Sequence, residues 1–222
     1  MHPDLPQTEA AIVEMTNAFR KANTLQEVKP NAALTAAARA FADYLARTGK
    51  FAHEADGRQP QDRAQAQGYR YCLVAENLAW HRDSRGFEAR QLARQVVEGW
   101  KTSAGHRANL LLQGATETGI GVARVPDKDP KFLAVQLLGR PEALKIKFSI
   151  QNLSATAVRY AVGSETGALP PRATVTYASC NSRPLSLEEP GGAAARFEPR
   201  LGDRFVIRAG KGQAVKVDVE RK

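Results

Sequence analysis

Gly99-Trp100-Lys101-Thr102-Ser103-Ala104-Gly105-His106-Arg107-Ala108-Asn109-Leu110-Leu111 is the stretch whose reading decides the fold. Upstream of it, Leu92, Val96 and Trp100 recur at helical spacing, so residues from about Phe87 to Lys101 are expected to form an amphipathic helix with Trp100 on its buried side. Ser103-Ala104-Gly105 breaks that pattern, and a short helix follows through Leu112, with Ser103 placed to cap it. A histidine, an arginine and an asparagine thus fall at a helix boundary, where side chains can project into a cleft.

Working outward, most of the first 112 residues read as helices. Ile12, Met15 and Phe19 share one face of a helix for which Thr8 is a plausible cap. Leu34, Ala38, Phe41 and Leu45 do the same from Asn31 to Thr48, and Gly49 suits a left-handed exit. A short polar helix is expected from Pro60 to Gln67. After the quoted stretch the period changes: Thr118 to Val125 and Lys131 to Gly139 read as an antiparallel hairpin around Pro126-Asp127-Lys128-Asp129-Pro130. Helices followed by a late sheet imply an α+β layered domain over residues 1–140. Beyond Arg140-Pro141, short alternating runs separated by Pro, Gly and Asn read as a small all-β, sandwich-like domain over residues 141–222. The runs are Leu144 to Gln151, Val158 to Val162, Thr174 to Tyr177, Arg204 to Arg208 and Val215 to Val219.

The net charge of +9 is spread along the chain. Residues 1–140 carry 19 Lys+Arg against 15 Asp+Glu (+4), and residues 141–222 carry 13 against 8 (+5). No basic run is interleaved with aromatics, so no nucleic-acid partner is expected. A negatively charged cell surface suits such diffuse charge better. No window approaches the ~18 apolar residues of a membrane span, and the first residues lack the pattern of an export signal. Met1-His2-Pro3 reads equally as a start placed after a removed signal or as the start of a cytosolic protein. Cys72 and Cys180 form no C-x-x-C pair, which argues against a zinc ribbon or a thioredoxin-like site; they are either linked or two buried thiols.

Four histidines are available, His2, His53, His81 and His106, and His53 and His106 sit in loops at helix boundaries. Imidazoles beside a carboxylate can bind a divalent cation or move protons. Glu76 and Asn77 interrupt the apolar run Ala75 to Trp80, and burying them requires partners. For Glu76 an arginine such as Arg107 is one candidate, and Asn77 can close a turn. Ser103 lies outside any G-x-S-x-G elbow and reads as a cap rather than a nucleophile. Tyr69, Tyr71, Trp80 and His81 read as core more readily than as the wall of an apolar ligand site.

Five ordered segments together resemble the bacterial branch of the CAP superfamily, that of cysteine-rich secretory, antigen 5 and pathogenesis-related-1 proteins. They are Phe51-Ala52-His53, Ala75-Glu76-Asn77-Leu78-Ala79, the run Gly99 to Leu111, Gly119-Ile120-Gly121-Val122 and Gln136-Leu137-Leu138-Gly139. The resemblance covers residues 8 to 140 and implies an α-β-α sandwich, with an extracellular or periplasmic location. It also implies a cavity lined by two histidines and two acids, with metal binding by the histidines. This chain keeps the first histidine as His53 and the first acid as Glu76, but the second acid falls at Ser103 and the late-strand histidine near Leu133. His106 then substitutes from a different loop. The expected site is His53 and His106 as ligands of a divalent cation, zinc above others, with Glu76 nearby and Asn77, Ser103, Arg107 and Asn109 supporting the cleft.

With one carboxylate lost, a binding module for a cation and a small, lipid-like or cell-envelope ligand is expected before an enzyme, and no cofactor is required. The alternatives are a metal-assisted hydrolase, such as a peptidase, using His53, Glu76 and His106, and a module that binds a protein through the C-terminal β-domain. For an exported two-domain protein, a Cys72–Cys180 disulfide is expected.

Overall fold

The computed structural model describes residues 2–188, 194–210 and 215–221. The chain divides into two compact units, Met1–Ala143 and Leu144–Lys222.

In the first unit, helix α1 (Leu5–Ala22) begins with Pro6 in its first turn and with Asp4, whose carboxylate accepts from Gln7 N at 2.7 Å. Asp4 is therefore the cap expected at Thr8. Thr8 is already inside the helix, where its buried hydroxyl donates to Asp4 O. Strand β1 (Lys29–Pro30) leads into α2 (Ala32–Thr48), capped by the Asn31 side chain and closed by Gly49 at φ 68°. Helix α3 (Pro60–Ala66) follows.

Residues Tyr71–Arg82 then form β2, a 12-residue strand, so the first 112 residues are not helical throughout. Helices α4 (Ala89–Thr102) and α5 (Ala104–Leu110) meet at Ser103, and β3 (Glu117–Val125) and β4 (Lys131–Pro141) make the hairpin.

The sheet order is β1-β3-β4-β2, with β2 antiparallel to β4 along its whole length and β1 parallel to β3. Side-chain alternation sorts the strands between two layers. Leu78, Leu133, Val135 and Leu137 face α2 and α3, where they pack on Leu34, Ala38, Phe41, Leu45 and Ala64. Ile120, Val122, Phe132 and Ala134 face α1, α4 and α5, against Ile12, Leu92, Val96, Trp100 and Leu110. The result is an α-β-α sandwich.

Glycine makes the α2 layer possible. A Cβ built on Gly119 would lie 2.1 Å from the carbonyl carbon of Leu34, and one on Gly121 2.3 Å from that of Ala38. The helix backbone rests directly on β3, and no side chain fits between them. Gly139 of β4 similarly admits the Tyr69 ring, whose hydroxyl donates to Glu117 Oε2 at 2.7 Å.

The second unit contains β5 (Ile146–Asn152), β6 (Val158–Val162), β7 (Glu165–Leu169), β8 (Thr174–Ser179), β9 (Leu185–Glu188), β10 (Ala194–Phe197), β11 (Arg204–Ala209) and β12 (Val215–Glu220). They form two four-stranded sheets, β10-β9-β6-β7 and β12-β11-β5-β8. One apolar core joins Val158, Val162, Leu185 and Leu187 of the first sheet to Phe148, Ile150, Phe205 and Ile207 of the second, as in a β-sandwich.

Cys72 and Cys180 are both disulfide-bonded and neither is free. The register between β2 and β4 slips between Tyr71 and Leu73, at Cys72. A thiol assay on unreduced, denatured protein should find no free thiol.

Two alanine substitutions test the close approach of α2 to β3. Gly121→Ala should destabilise by about 3 kcal/mol, the upper end of overpacking costs. Gly99→Ala, in α4 with open space around it, should instead stabilise by up to about 1 kcal/mol. Urea denaturation midpoints of the two variants measure both effects.

Candidate functional site

Strand β2 ends the sheet, so the outward carbonyls of its alternate residues need donors from elsewhere. Two side chains of the Gly99 to Leu111 run supply them. Trp100 Nε1 donates to Leu78 O at 3.0 Å, and Asn109 Nδ2 donates to Glu76 O at 3.0 Å. Asn109 Nδ2 also donates to Asn77 Oδ1 at 2.9 Å. The buried Asn77 amide then donates to Gln136 Oε1 at 3.1 Å and to His106 O at 3.3 Å. Asn77 therefore lies inside a strand and closes no turn. Its network fixes the backbone of His106 beside β2.

Glu76 points to the other face, toward α3. Its side chain is only 1% exposed, and both oxygens are engaged: Oε1 with His53 Nδ1 and Oε2 with Arg63 Nη2, each at 2.8 Å. The arginine that neutralises it is thus Arg63, which sequence reasoning did not single out, and not Arg107. Arg107 is exposed, with its guanidinium 5.1 Å from the centre of the Phe19 ring. Burial holds the Glu76 carboxyl above its usual range, and the charges and hydrogen bonds of Arg63 and His53 offset only part of that rise. Facing a permanently charged guanidinium, Glu76 can accept from the His53 ring, and a proton on Nδ1 would leave Nε2 of a neutral ring with its lone pair.

His53 is exposed, with half of its side chain in solvent, and His106 is half-buried. Burial lowers the His106 ring below the ordinary value of 6.5, and the charge that His53 can carry lowers it further. His53 is held at Glu76 and His106 at Asn77, whose side chains leave β2 on opposite faces. Ser103 stands at the junction of α4 and α5 in extended conformation; its carbonyl accepts from Arg107 N at 2.8 Å, but its side chain makes no capping hydrogen bond.

The aromatic set divides. Tyr69 is core and Tyr71 packs against it, His81 is half-buried, and Trp80 is 50% exposed with the Lys131 ammonium 4.8 Å from its ring centre. Trp80 is therefore not core. Leu133, near which the resemblance places the late-strand histidine that this chain lacks, is buried among the side chains facing α2.

Among the described residues, no group of three or more His, Cys, Asp and Glu side chains is arranged to hold a metal ion. With both Glu76 oxygens occupied, the protein offers two imidazoles. That donor set does not fit a tetrahedral zinc centre with three or four protein ligands.

The model of the CAP family, the cysteine-rich secretory protein family, matches residues 13–137. The chain belongs to that family. A curated relative, the uncharacterised protein YkwD of Bacillus subtilis (strain 168), is 29% identical over 114 residues, 51% of this chain and 41% of YkwD. The CAP unit thus spans about two-fifths of that relative's length.

Among solved structures, an outer surface protein from Borrelia burgdorferi superposes with a TM-score of 0.52 at 20% identity, covering 61% of this chain and 93% of that one. An extracellular protein containing an SCP domain from Bacillus anthracis gives 0.50 at 24% identity, covering 61% of this chain and 41% of that one. Both likenesses concern the CAP fold alone. No helix among the described residues is long and apolar enough to cross a membrane.

The depressed His106 value sets a pH dependence. Between that value and 6.5 the unfolded chain binds more protons than the folded one, so the His106 contribution to stability is lost as pH falls through this window. His53→Ala removes the neighbouring charge and should move the His106 midpoint upward. The ring-proton NMR titration of His106 in the two proteins measures the move.

Proposed function

We propose that the protein acts outside the cytoplasm as a binding module, taking a small or extended ligand of lipid-like or cell-envelope chemistry where the His53 and His106 rings flank β2. A divalent cation would be a weak, shared contact there. The observation that carries this reading is the state of Glu76. Its oxygens are spent on Arg63 and His53, and its side chain is 1% exposed. Freeing it as a general base would leave the Arg63 guanidinium without its Glu76 partner, and breaking a buried pair costs about 3–5 kcal/mol. What remains presented to a ligand is imidazole: the Nε2 of His53 and the ring of His106.

The extracellular setting is supported by family membership, by the disulfide-bonded cysteines and by the extracellular SCP-domain protein among the structural neighbours. The charge of +9 suits an anionic envelope surface.

Calorimetric zinc titration is the direct test of the cation contact. Two imidazoles with two open positions should give binding in roughly the micromolar to millimolar range, abolished in His53→Ala/His106→Ala. Absence of heat from the wild type across that range would remove the cation from the proposal. The hydrolase reading would prevail instead if peptide or ester substrates turn over and the activity vanishes in Glu76→Gln.

A further inference from the structure

We propose that Arg63 is the positioning residue of this site, fixing both the backbone and the ring of His53 so that Nε2 is the nitrogen offered to a ligand. The proposal deepens the binding-module reading and rests on it for the ligand, but its spectroscopic test does not.

No helix or strand holds His53, which lies in the turn between α2 and α3. One guanidinium gathers that turn. Arg63 Nη2 donates to His53 O at 2.9 Å, and Arg63 Nη1 donates to Arg58 O and to Asp56 Oδ1, both at 2.8 Å. From the same Nη2 it crosses to Glu76 Oε2 on β2, whose other oxygen meets the His53 ring. A closed circuit results: His53 carbonyl, Arg63, Glu76, His53 imidazole.

The guanidinium is held in place by the Phe41 ring of α2, 3.6 Å from its central carbon, and the side chain is 6% exposed. Neutralising Glu76 would need only a point charge. A planar fork touching three points of a loop and one of a strand supplies geometry as well. Arg63 Nε is buried without a hydrogen-bond partner.

Arg63→Lys separates charge from geometry, since it keeps the cation and removes the fork. The probe is the ¹⁵N signature of the His53 ring at pH 8, read in the intact protein alongside its amide spectrum and thermal midpoint. The wild type should show the proton on Nδ1 and a bare Nε2. Arg63→Lys should move both ring nitrogens toward the averaged shifts of a free imidazole while the amide spectrum stays dispersed, and zinc affinity should fall about tenfold.

A wild-type ring protonated on Nε2, or ring shifts unchanged in Arg63→Lys, would overturn the proposal. Should Arg63→Lys fail to fold, Asp56→Asn loosens one anchor of the turn and should shift the His53 nitrogens partway in the same direction; no shift there is equally damaging. If the nitrogens respond and the wild type binds no zinc, the positioning role stands and the cation contact alone fails.

Discussion

An edge strand with unanswered carbonyls is the constraint from which the site follows. Strand β2 pairs on one side only, and the carbonyls of Glu76 and Leu78 on its free side are answered by Asn109 and Trp100. Leaving either buried and unpaired would cost about 1–3 kcal/mol, so the α4–α5 junction is fixed where those donors reach. His106, three residues before Asn109, is carried to β2 by that requirement, and Asn77 fastens its carbonyl there. The opposite edge is handled by the same means. Beyond its short pairing with β1, β3 offers Val122 N, which donates to Glu9 Oε1 on α1, and Arg39 of α2 holds that carboxylate. Side chains thus answer backbone groups on both open edges of the sheet.

Most of the residues that carry the family resemblance turn out to be scaffold. Gly119 and Gly121 let α2 lie on β3, Gly139 makes room for Tyr69, Gln136 bridges Asn77 and Thr16, and Trp100 and Asn109 cap β2. The motifs are recognisable because each answers a packing or hydrogen-bonding demand that few residue types can meet. Among the motif residues the imidazoles of His53 and His106 and the guanidinium of Arg107 are not buried, and Glu76 lies behind the first. Arg20 belongs to the scaffold too. Fully buried, it donates to the carbonyls of Gln26, Leu110, Leu112 and Ala115, joining α1 to the end of α5, where a cation also suits the helix dipole.

Legibility followed the physics of each segment. Helices α2 and α4 and the β3–β4 hairpin show in the sequence because one period runs through each and turn residues bound it. Strand β2 does not, because helices cover both its faces. Val74, Glu76 and Leu78 point one way and Ala75, Asn77 and Ala79 the other, so polar and apolar residues occur on both and no alternation survives. In the second unit β7 and β10 bury almost nothing, so they carry too weak an apolar pattern to stand out, and β9 is only four residues long. The partner of Glu76 was hidden for a different reason. Arg107 sits in the memorable motif, whereas Arg63 lies on a short polar helix whose only signal was that a buried acid must be paired. Pro60 starts that helix, and its short run then carries Arg63 under Phe41.

That pairing also decides what the acid is for. A carboxylate poised as a base needs a free oxygen near its reacting proton and freedom to change charge during turnover. Glu76 has no free oxygen: one meets an imidazole, the other holds a buried guanidinium, and that guanidinium in turn holds the loop carrying the imidazole. Changing the charge of Glu76 would loosen the group it is there to aim. A site wired in this way presents a fixed surface to whatever enters it. Ser103, where the resemblance places a second acid, supplies no carboxylate, and Leu133, where it places a late-strand histidine, is a core residue and supplies no imidazole. On the binding-module proposal, two imidazoles with no free carboxylate beside them are a poor match for a tightly held dication.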